Sequence, residues 1–139
     1  MPSALARVAP VFALVALFAL TSCSGQPDPV GTTDSGVPDG YAHPDSPTDA
    51  ALVALDGGDG DLRVVTWGSS SCVPSITEAT IVDDIPTLTL TAEDAESCTD
   101  DLAPTTHTLE GLLEGIDPEH VDIIEDPGGV TISVVLETY

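Results

Sequence analysis

The sequence contains no lysine, and its cations are two arginines, Arg7 and Arg63. Against them stand 24 aspartate and glutamate residues, so the formal net charge of the 139-residue chain is −22. Because nucleic-acid binding depends on neutralising phosphates with lysine and arginine, this composition excludes a nucleic-acid-binding protein. Anionic lipid head groups would be repelled in the same way, so attachment to a membrane would need acyl chains rather than a basic patch.

Long apolar runs are also scarce. The run over residues 8–20 is interrupted by Pro10, and it is shorter than the roughly 20 residues that a transmembrane helix needs. Arg7 and the free amino terminus give the segment before it a weak positive charge. A short apolar run behind a positive start is typical of an export signal. We therefore expect residues 1–22 to be a signal peptide.

The end of this segment reads Leu20-Thr21-Ser22-Cys23, an apolar residue, two small residues and a cysteine. This order resembles the lipobox of bacterial lipoproteins. The resemblance implies that Cys23 is diacylated on its sulfur and becomes the first residue of the mature protein, anchored at the extracytoplasmic face of the cell membrane. The alternatives are an ordinary secreted protein that is cleaved nearby and a short membrane anchor.

Cysteines are few, and assigning Cys23 to the lipid leaves only Cys72 and Cys98. In an exported, oxidising compartment such a remaining pair normally forms a disulfide. Two cysteines alone make an incomplete zinc site, since structural sites use four ligands. We therefore predict a disulfide between Cys72 and Cys98, and we expect neither a metal nor a cofactor.

Two regions of different composition follow the signal. Residues 23–49 are dominated by Ser, Gly, Pro, Thr and Asp; such a segment cannot bury enough apolar surface to offset its chain entropy. We predict a disordered acidic linker there. Over residues 50–139, short apolar runs alternate with Gly, Pro and Asp clusters, which predicts one small β domain stapled by the disulfide.

Strand signals dominate this domain, and helix signals are scarce. The alternation is clearest in TLTLT at 87–91 and in the last run, where Val130 and every second residue point one way. DGGDGD at 56–61 predicts a hairpin loop, and Pro127 followed by Gly128 predicts a type II turn. We predict an all-β fold, a small antiparallel sandwich or barrel of about seven short strands. The predicted strands are 51–55, 62–67, 76–82, 87–91, 105–113, 121–124 and 130–136.

No complete catalytic motif is present. GSSSC at 68–72 lacks the G-x-S-x-G pattern of a nucleophile elbow, and no spacing supports a triad of Ser70, His107 and Asp100 or Asp101. Adjacent acids such as Asp83 and its neighbour are common on any acidic surface, whereas glycosidases need two carboxyls about 5 to 10 Å apart. We expect a non-enzymatic binding or structural module. An envelope hydrolase that uses loop carboxylates or His107 is the alternative.

Metal and aromatic sites are weakly indicated. DGGDGDLR at 56–63 has some likeness to a calcium loop but has Gly58 where the EF-hand pattern needs a ligand, so a weak calcium-binding acidic surface protein is a further alternative. His107 and His120 supply only two of the three or four ligands that a zinc site needs. We expect Trp67 to lie in the core rather than to form an exposed stacking platform.

The segments WGSSSCVP at 67–74 and SCTDDLAPTTH at 97–107 are similar to segments of small actinobacterial lipoproteins and secreted proteins. The resemblance implies an exported β domain with bridged cysteines, and it transfers no catalytic residue to this chain. Because both segments surround the two cysteines, we interpret WGSSSC as a structural corner. The expected partners are the membrane, through Cys23, and an envelope protein or ligand.

Overall fold

A computed structural model describes residues 27–42, 52–93 and 97–139, which form eight β-strands in a single sheet curled into a half-barrel. The predicted all-β fold and the Cys72–Cys98 disulfide are confirmed. Within the described ranges, no helix forms that is long and apolar enough to cross a membrane. The strands are β1 (Thr32–Ser35), β2 (Val53–Asp56), β3 (Leu62–Gly68), β4 (Ser75–Val82), β5 (Ile85–Thr91), β6 (Ala103–Leu109), β7 (His120–Asp126) and β8 (Val130–Thr138).

The sheet has two halves, and the chain passes from one to the other several times. The spatial order is β1-β6-β3-β2-β8-β7-β5-β4, so the first four strands make one half and the last four the other. Most neighbours are antiparallel, but β2 runs parallel to β8 and β5 runs parallel to β7. The prediction of a purely antiparallel sheet is therefore wrong at these two joints. The chain leaves β5, enters the other half as β6 and returns as β7, so β7 runs in the direction of β5.

The apolar core lies on the inner face of the half-barrel. The TLTLT alternation is confirmed, because Leu88 and Leu90 are buried while the three threonines that alternate with them are only half-buried. Val134 and Leu136 of β8 pack against the same core, as the alternation in the last strand predicts. The buried members are Ala54, Leu62, Val64, Ile76, Leu88, Leu90, Leu109, Leu113, Val121 and Ile123.

The strand predicted over 105–113 ends earlier, at Leu109. The chain then turns through residues 110–115, where Gly111 and Gly115 adopt positive φ angles of 70° and 78°. Leu113 still reaches the core, because its backbone N–H donates to the carbonyl of Gly60 at 2.7 Å. Leu113 thus joins Leu109 in the core through a turn, and not as part of the continuous strand predicted over 105–113.

Part of the predicted linker belongs to the sheet. β1 pairs with β6 from Thr32↔Thr108 to Ser35↔Thr105, so these residues differ from the predicted disorder. The chain beyond β1 crosses the outer face, where Thr106 Oγ1 donates to the Gly36 carbonyl at 2.7 Å. In the same segment, the Tyr41 ring lies edge-to-face with the Tyr139 ring, and the two ring centroids are 6.0 Å apart. Backbone pairing needs no apolar side chain, which explains why composition did not predict β1. The predicted signal peptide 1–22, Cys23 and the linker residues 24–26 and 43–49 lie outside the described residues.

The hairpin loops show how the acidic residues are used. DGGDGD joins β2 and β3 as predicted. Asp83 and Asp84 form the two-residue turn between β4 and β5, with φ angles of 52° and 64°, the geometry of a type I′ turn. Between β7 and β8 the Gly129 N–H donates to the Glu125 carbonyl at 2.8 Å. That bond closes a turn one residue longer than a type II turn, so the hairpin prediction is right and the turn type is wrong.

Candidate functional site

The disulfide joins two connections that cross between the halves of the sheet. Cys72 lies between β3 and β4, Cys98 lies between β5 and β6, and their Cα atoms are 5.5 Å apart. Since β3 neighbours β6 and β4 neighbours β5, the two connections leave and enter the same end of the sheet. We call this region, residues 69–74 with 97–102, the disulfide corner.

Hydroxyl groups brace the disulfide corner. Ser69 Oγ lies 2.8 Å from Thr99 Oγ1, and the Thr99 backbone N–H donates to Ser71 Oγ at 2.9 Å. The Ser70 backbone N–H donates to Asp101 Oδ1 at 3.1 Å. Hydrogen bonds from Ser70 and Thr99 lower the pKa of Asp101 to about 2. A carboxylate with so low a pKa is a poor proton acceptor at neutral pH. The serines form hydrogen bonds that link the two connections of the disulfide corner.

His107 does not lie in the disulfide corner. It is on β6, 2% exposed, on the inner face of the sheet. Its Nδ1 lies 3.4 Å from Thr33 Oγ1 and its Nε2 lies 3.3 Å from Thr66 Oγ1. Burial lowers the pKa of His107, which favours the neutral ring. Both ring nitrogens are paired with threonine hydroxyls, so the structure does not assemble the triad with Ser70.

The acidic loop between β2 and β3 uses its carboxylates locally. Asp56 Oδ1 accepts the Gly58 backbone N–H at 2.9 Å, and Asp61 Oδ1 accepts the Gly111 backbone N–H at 2.9 Å. His120 has its own acidic neighbour, with Nε2 3.7 Å from Asp122 Oδ1. Among the described residues, no group of three or more His, Cys, Asp or Glu side chains could hold a metal ion. The acidic side chains in this loop bind backbone amides of its own and the neighbouring turn.

Trp67 is not in the core cluster. Trp67 is half-buried near the end of β3, directly after the buried Thr66. With Pro74, Leu90 and Glu125 it lines a cavity of about 290 Å³. The expectation that Trp67 is a core residue is therefore wrong, because it lies beside the core residue Leu90 at the end of β3 and is not a member of the core cluster.

Sequence reasoning missed the gap between the two edge strands, β1 and β4, which we call the seam. These strands end the sheet on its two sides. Their edges approach at one point, where the Val30 N–H donates to the Ile76 carbonyl at 2.7 Å. Beside that contact lies an open cavity of about 400 Å³. It is lined by Val30, Gly31, Thr32, Ala79, Thr108, Leu109, Glu110 and Leu112.

Backbone polar groups face the seam from both edges. In the β4–β5 hairpin the two-residue turn makes Val82 and Thr80 the residues that bond to β5. Ala79 and Ile81 therefore present their N–H and C=O groups outward. On β1 the Gly36 N–H bonds to Pro104, and the same alternation leaves Thr33 and Ser35 facing outward.

The side chains of the seam form an apolar floor. Asp28, Glu78 and Glu110, on the segments that border it, form an acidic rim. Leu109 is buried and Leu112 is partly buried against the core. Ile81 and Val82, at the far end of β4, are 42% and 52% exposed. The one sequence signal was Val30, an apolar residue followed closely by two threonines within an otherwise polar segment.

No family model, curated protein or solved structure matches this chain.

Proposed function

We propose that the protein is a lipid-anchored lipoprotein of the cell envelope whose β domain is a non-enzymatic binding module, with the seam as its binding site. The observation that carries this proposal is the seam itself, an apolar floor between two strand edges whose outward backbone groups have no strand partner in the described part of the chain. Natural sheets usually cover, charge or shorten such edges because they pair readily with other chains. An edge left open beside a cavity favours a role in binding.

The polar clusters that could have served catalysis have structural partners instead. Ser69 and Ser71 bond to Thr99 across the disulfide corner. His107 is buried between two threonine hydroxyls, and its pKa is lowered by that burial. These contacts support a binding module over a hydrolase.

The position of β1 changes the expected reach of the anchor. If residues 23–49 were all linker, the domain could stand about 90 Å from a lipid on Cys23. With Val30 already bonded to Ile76, only residues 23–29 would separate Cys23 from the seam, a distance of at most about 25 Å. The proposed binding site would therefore be held close to the membrane surface.

The intact mass of protein purified from membranes tests the anchor. We expect the loss of residues 1–22, the added mass of acyl chains, and a gain of two hydrogen atoms when the Cys72–Cys98 bond is reduced. A Cys23→Ser variant is the matched control and should appear in the soluble extracytoplasmic fraction without acyl mass. Membrane-purified protein without acyl mass would contradict the lipid anchor.

A further inference from the structure

We infer that the seam accepts a ninth strand, an extended and positively charged peptide segment of another protein that pairs with β4 and β1 and closes the half-barrel. This inference rests on the proposed function, since it names the class of partner for the same site. It is argued in turn from the backbone, the side chains and the charge of the seam.

The backbone of the seam has the polar groups that a strand needs. Ala79 and Ile81 on β4 and Thr33 on β1 direct their N–H and C=O groups outward, as the pairing registers require. Five antiparallel joints separate β1 from β4, so the two edges run in opposite directions. An inserted strand would be antiparallel to one edge and parallel to the other. Main-chain pairing of this kind supplies affinity in strand addition.

β4 is the better edge of the two. It has eight residues against four in β1. Its irregularity, between Ile76 and Glu78, lies at the end that approaches Val30. Beyond it, Ala79 to Val82 contains no proline, no charge and no bulge, the devices that usually protect an edge. This part of β4 is therefore the expected start of pairing, in the antiparallel direction that is more stable per residue.

The side chains of the seam specify an alternating segment. Successive side chains of a strand point to opposite faces, so every second residue of the added segment would face Leu109 and Leu112. Those positions suit apolar side chains of moderate size, since the cavity is about 400 Å³. The residues between them would face solvent at the acidic rim.

The charge of the protein selects a basic partner. Asp28, Glu78 and Glu110 lie on the segments that border the seam, and the whole chain carries a net charge of −22. Arg63, the one described cation of the Lys and Arg type, is on the outer face and donates to the Tyr139 hydroxyl. A second copy would bring a further net charge of −22 close to the same edge. Electrostatic complementarity therefore favours lysine or arginine at the solvent-facing positions.

The test uses the membrane-purified lipoprotein in neutral detergent, at about 0.15 M salt to screen diffuse attraction. The probe is a heptapeptide of alternating lysine and valine. Two matched peptides are the controls: one with glutamate in place of lysine, and one with the lysine–valine sequence and every backbone nitrogen methylated. We expect the unmodified basic peptide to bind at least tenfold more tightly than either control. Equal binding of the methylated peptide would overturn strand addition, because only charge would be at work.

Hydrogen exchange measured by mass spectrometry locates the binding. We expect the basic peptide to slow exchange in segments 75–82 and 30–36, and to leave the interior strand β3 unchanged. Slowed exchange confined to the loop at 56–61 or to the disulfide corner would overturn the inference. Peptide binding does not depend on acylation, so the Cys23→Ser protein separates failure of the seam from failure of the anchor.

A substitution at the edge completes the test. Ile81→Pro removes an outward N–H without removing a β4–β5 hydrogen bond, and we expect it to weaken peptide binding at least tenfold. Ile81→Val keeps the N–H and is the matched control, with binding within twofold of the parent. If Ile81→Pro disturbs the fold, Glu78→Lys with Glu110→Lys is the second variant and should reverse the preference between the basic and acidic peptides. An unchanged preference in that variant, or parent-like binding by folded Ile81→Pro, would contradict the proposal.

Discussion

The disulfide corner and the seam are both places where the halves of the sheet meet without a strand pair, and they are closed in opposite ways. The corner has a covalent bond, several hydroxyl contacts and the ionised Asp101. Among the described residues, one backbone hydrogen bond crosses the seam, from Val30 to Ile76. On the chain-entropy model, closing a loop with a sequence separation of 26 residues contributes about 3 to 4 kcal/mol. One hydrogen bond contributes about 1 kcal/mol.

This difference shows that the disulfide corner fixes the crossover connections at one end of the sheet, whereas the edges of β1 and β4 remain able to adjust. The corner joins two of the three connections that carry the chain between the halves, so it keeps the halves together even where β1 and β4 do not pair. The seam can then take up a further strand without disturbing the inner core. Four predictions test this division between the corner and the edges.

Removal of the disulfide should have the largest effect. The double variant Cys72→Ser with Cys98→Ser should lower the free energy of unfolding by about 3 to 4 kcal/mol, because the unfolded chain regains its loop entropy. Urea unfolding followed by Trp67 fluorescence measures the change. Cys23→Ser is the control and should leave the midpoint unchanged. If the double variant unfolded at the parent's midpoint, the hydroxyl contacts alone would account for the corner.

The start of β1 should be the most sensitive position of the seam. Gly31 has a φ angle of 81°, and a Cβ atom there would lie 2.3 Å from the Thr108 carbonyl oxygen. Gly31→Ala should therefore cost about 2 to 4 kcal/mol, from backbone strain and displacement of β1 together. Faster hydrogen exchange in residues 32–36 would show that β1 has separated.

Gly36→Ala is the matched control for this prediction. Gly36 has a φ angle of 99° but no atom within 4 Å of the position of an added Cβ. It should cost only the backbone strain, about 1 to 2 kcal/mol. An equal loss of unfolding free energy in the two variants would mean that the close approach of Gly31 to β6 does not affect stability.

The buried histidine should make stability depend on pH. Burial lowers the pKa of His107 from 6.5, so below pH 6.5 the unfolded chain binds a proton that the folded protein does not. Stability should therefore fall as the pH is lowered from 7 to 5, with a slope of up to about 1.4 kcal/mol per pH unit. His107→Gln should flatten this slope in urea unfolding, and His120→Gln should retain it. A slope that survives in His107→Gln would assign the effect to another group.

Asp101 should give the smallest effect, at more acidic pH. Its pKa is lowered from 3.8 to about 2, so the stabilisation from its charged form is complete above pH 4 and disappears as the pH falls through 2. Asp101→Asn should lose this dependence, and Asp100→Asn should keep it. Thermal unfolding between pH 2 and 5 checks the difference; identical profiles for the two variants would remove Asp101 from the bracing of the corner.

Local patterns predicted much of the fold. Three features could be predicted from short stretches of sequence: the alternation in TLTLT, the alternation in the last strand, and the β2–β3 turn with its Gly and Asp residues. The disulfide followed from the number of cysteines. The inward positions of His107 and Leu109 on β6 agree with the same alternation, whereas Leu113 reaches the core through the turn that follows β6. The proposed lipid anchor also depends on four adjacent residues.

Which strands pair was decided only by the tertiary structure. The two parallel joints and the pairing of β1 with β6 depend on which strand lies beside which. Strand partners that are distant in sequence leave no mark in a local pattern. The seam is the clearest case. It consists of backbone groups that residues 30–36 and 75–82 leave unpaired, and backbone groups are the same in every sequence. Side-chain chemistry determined the strands, whereas pairing geometry determined where the sheet stays open.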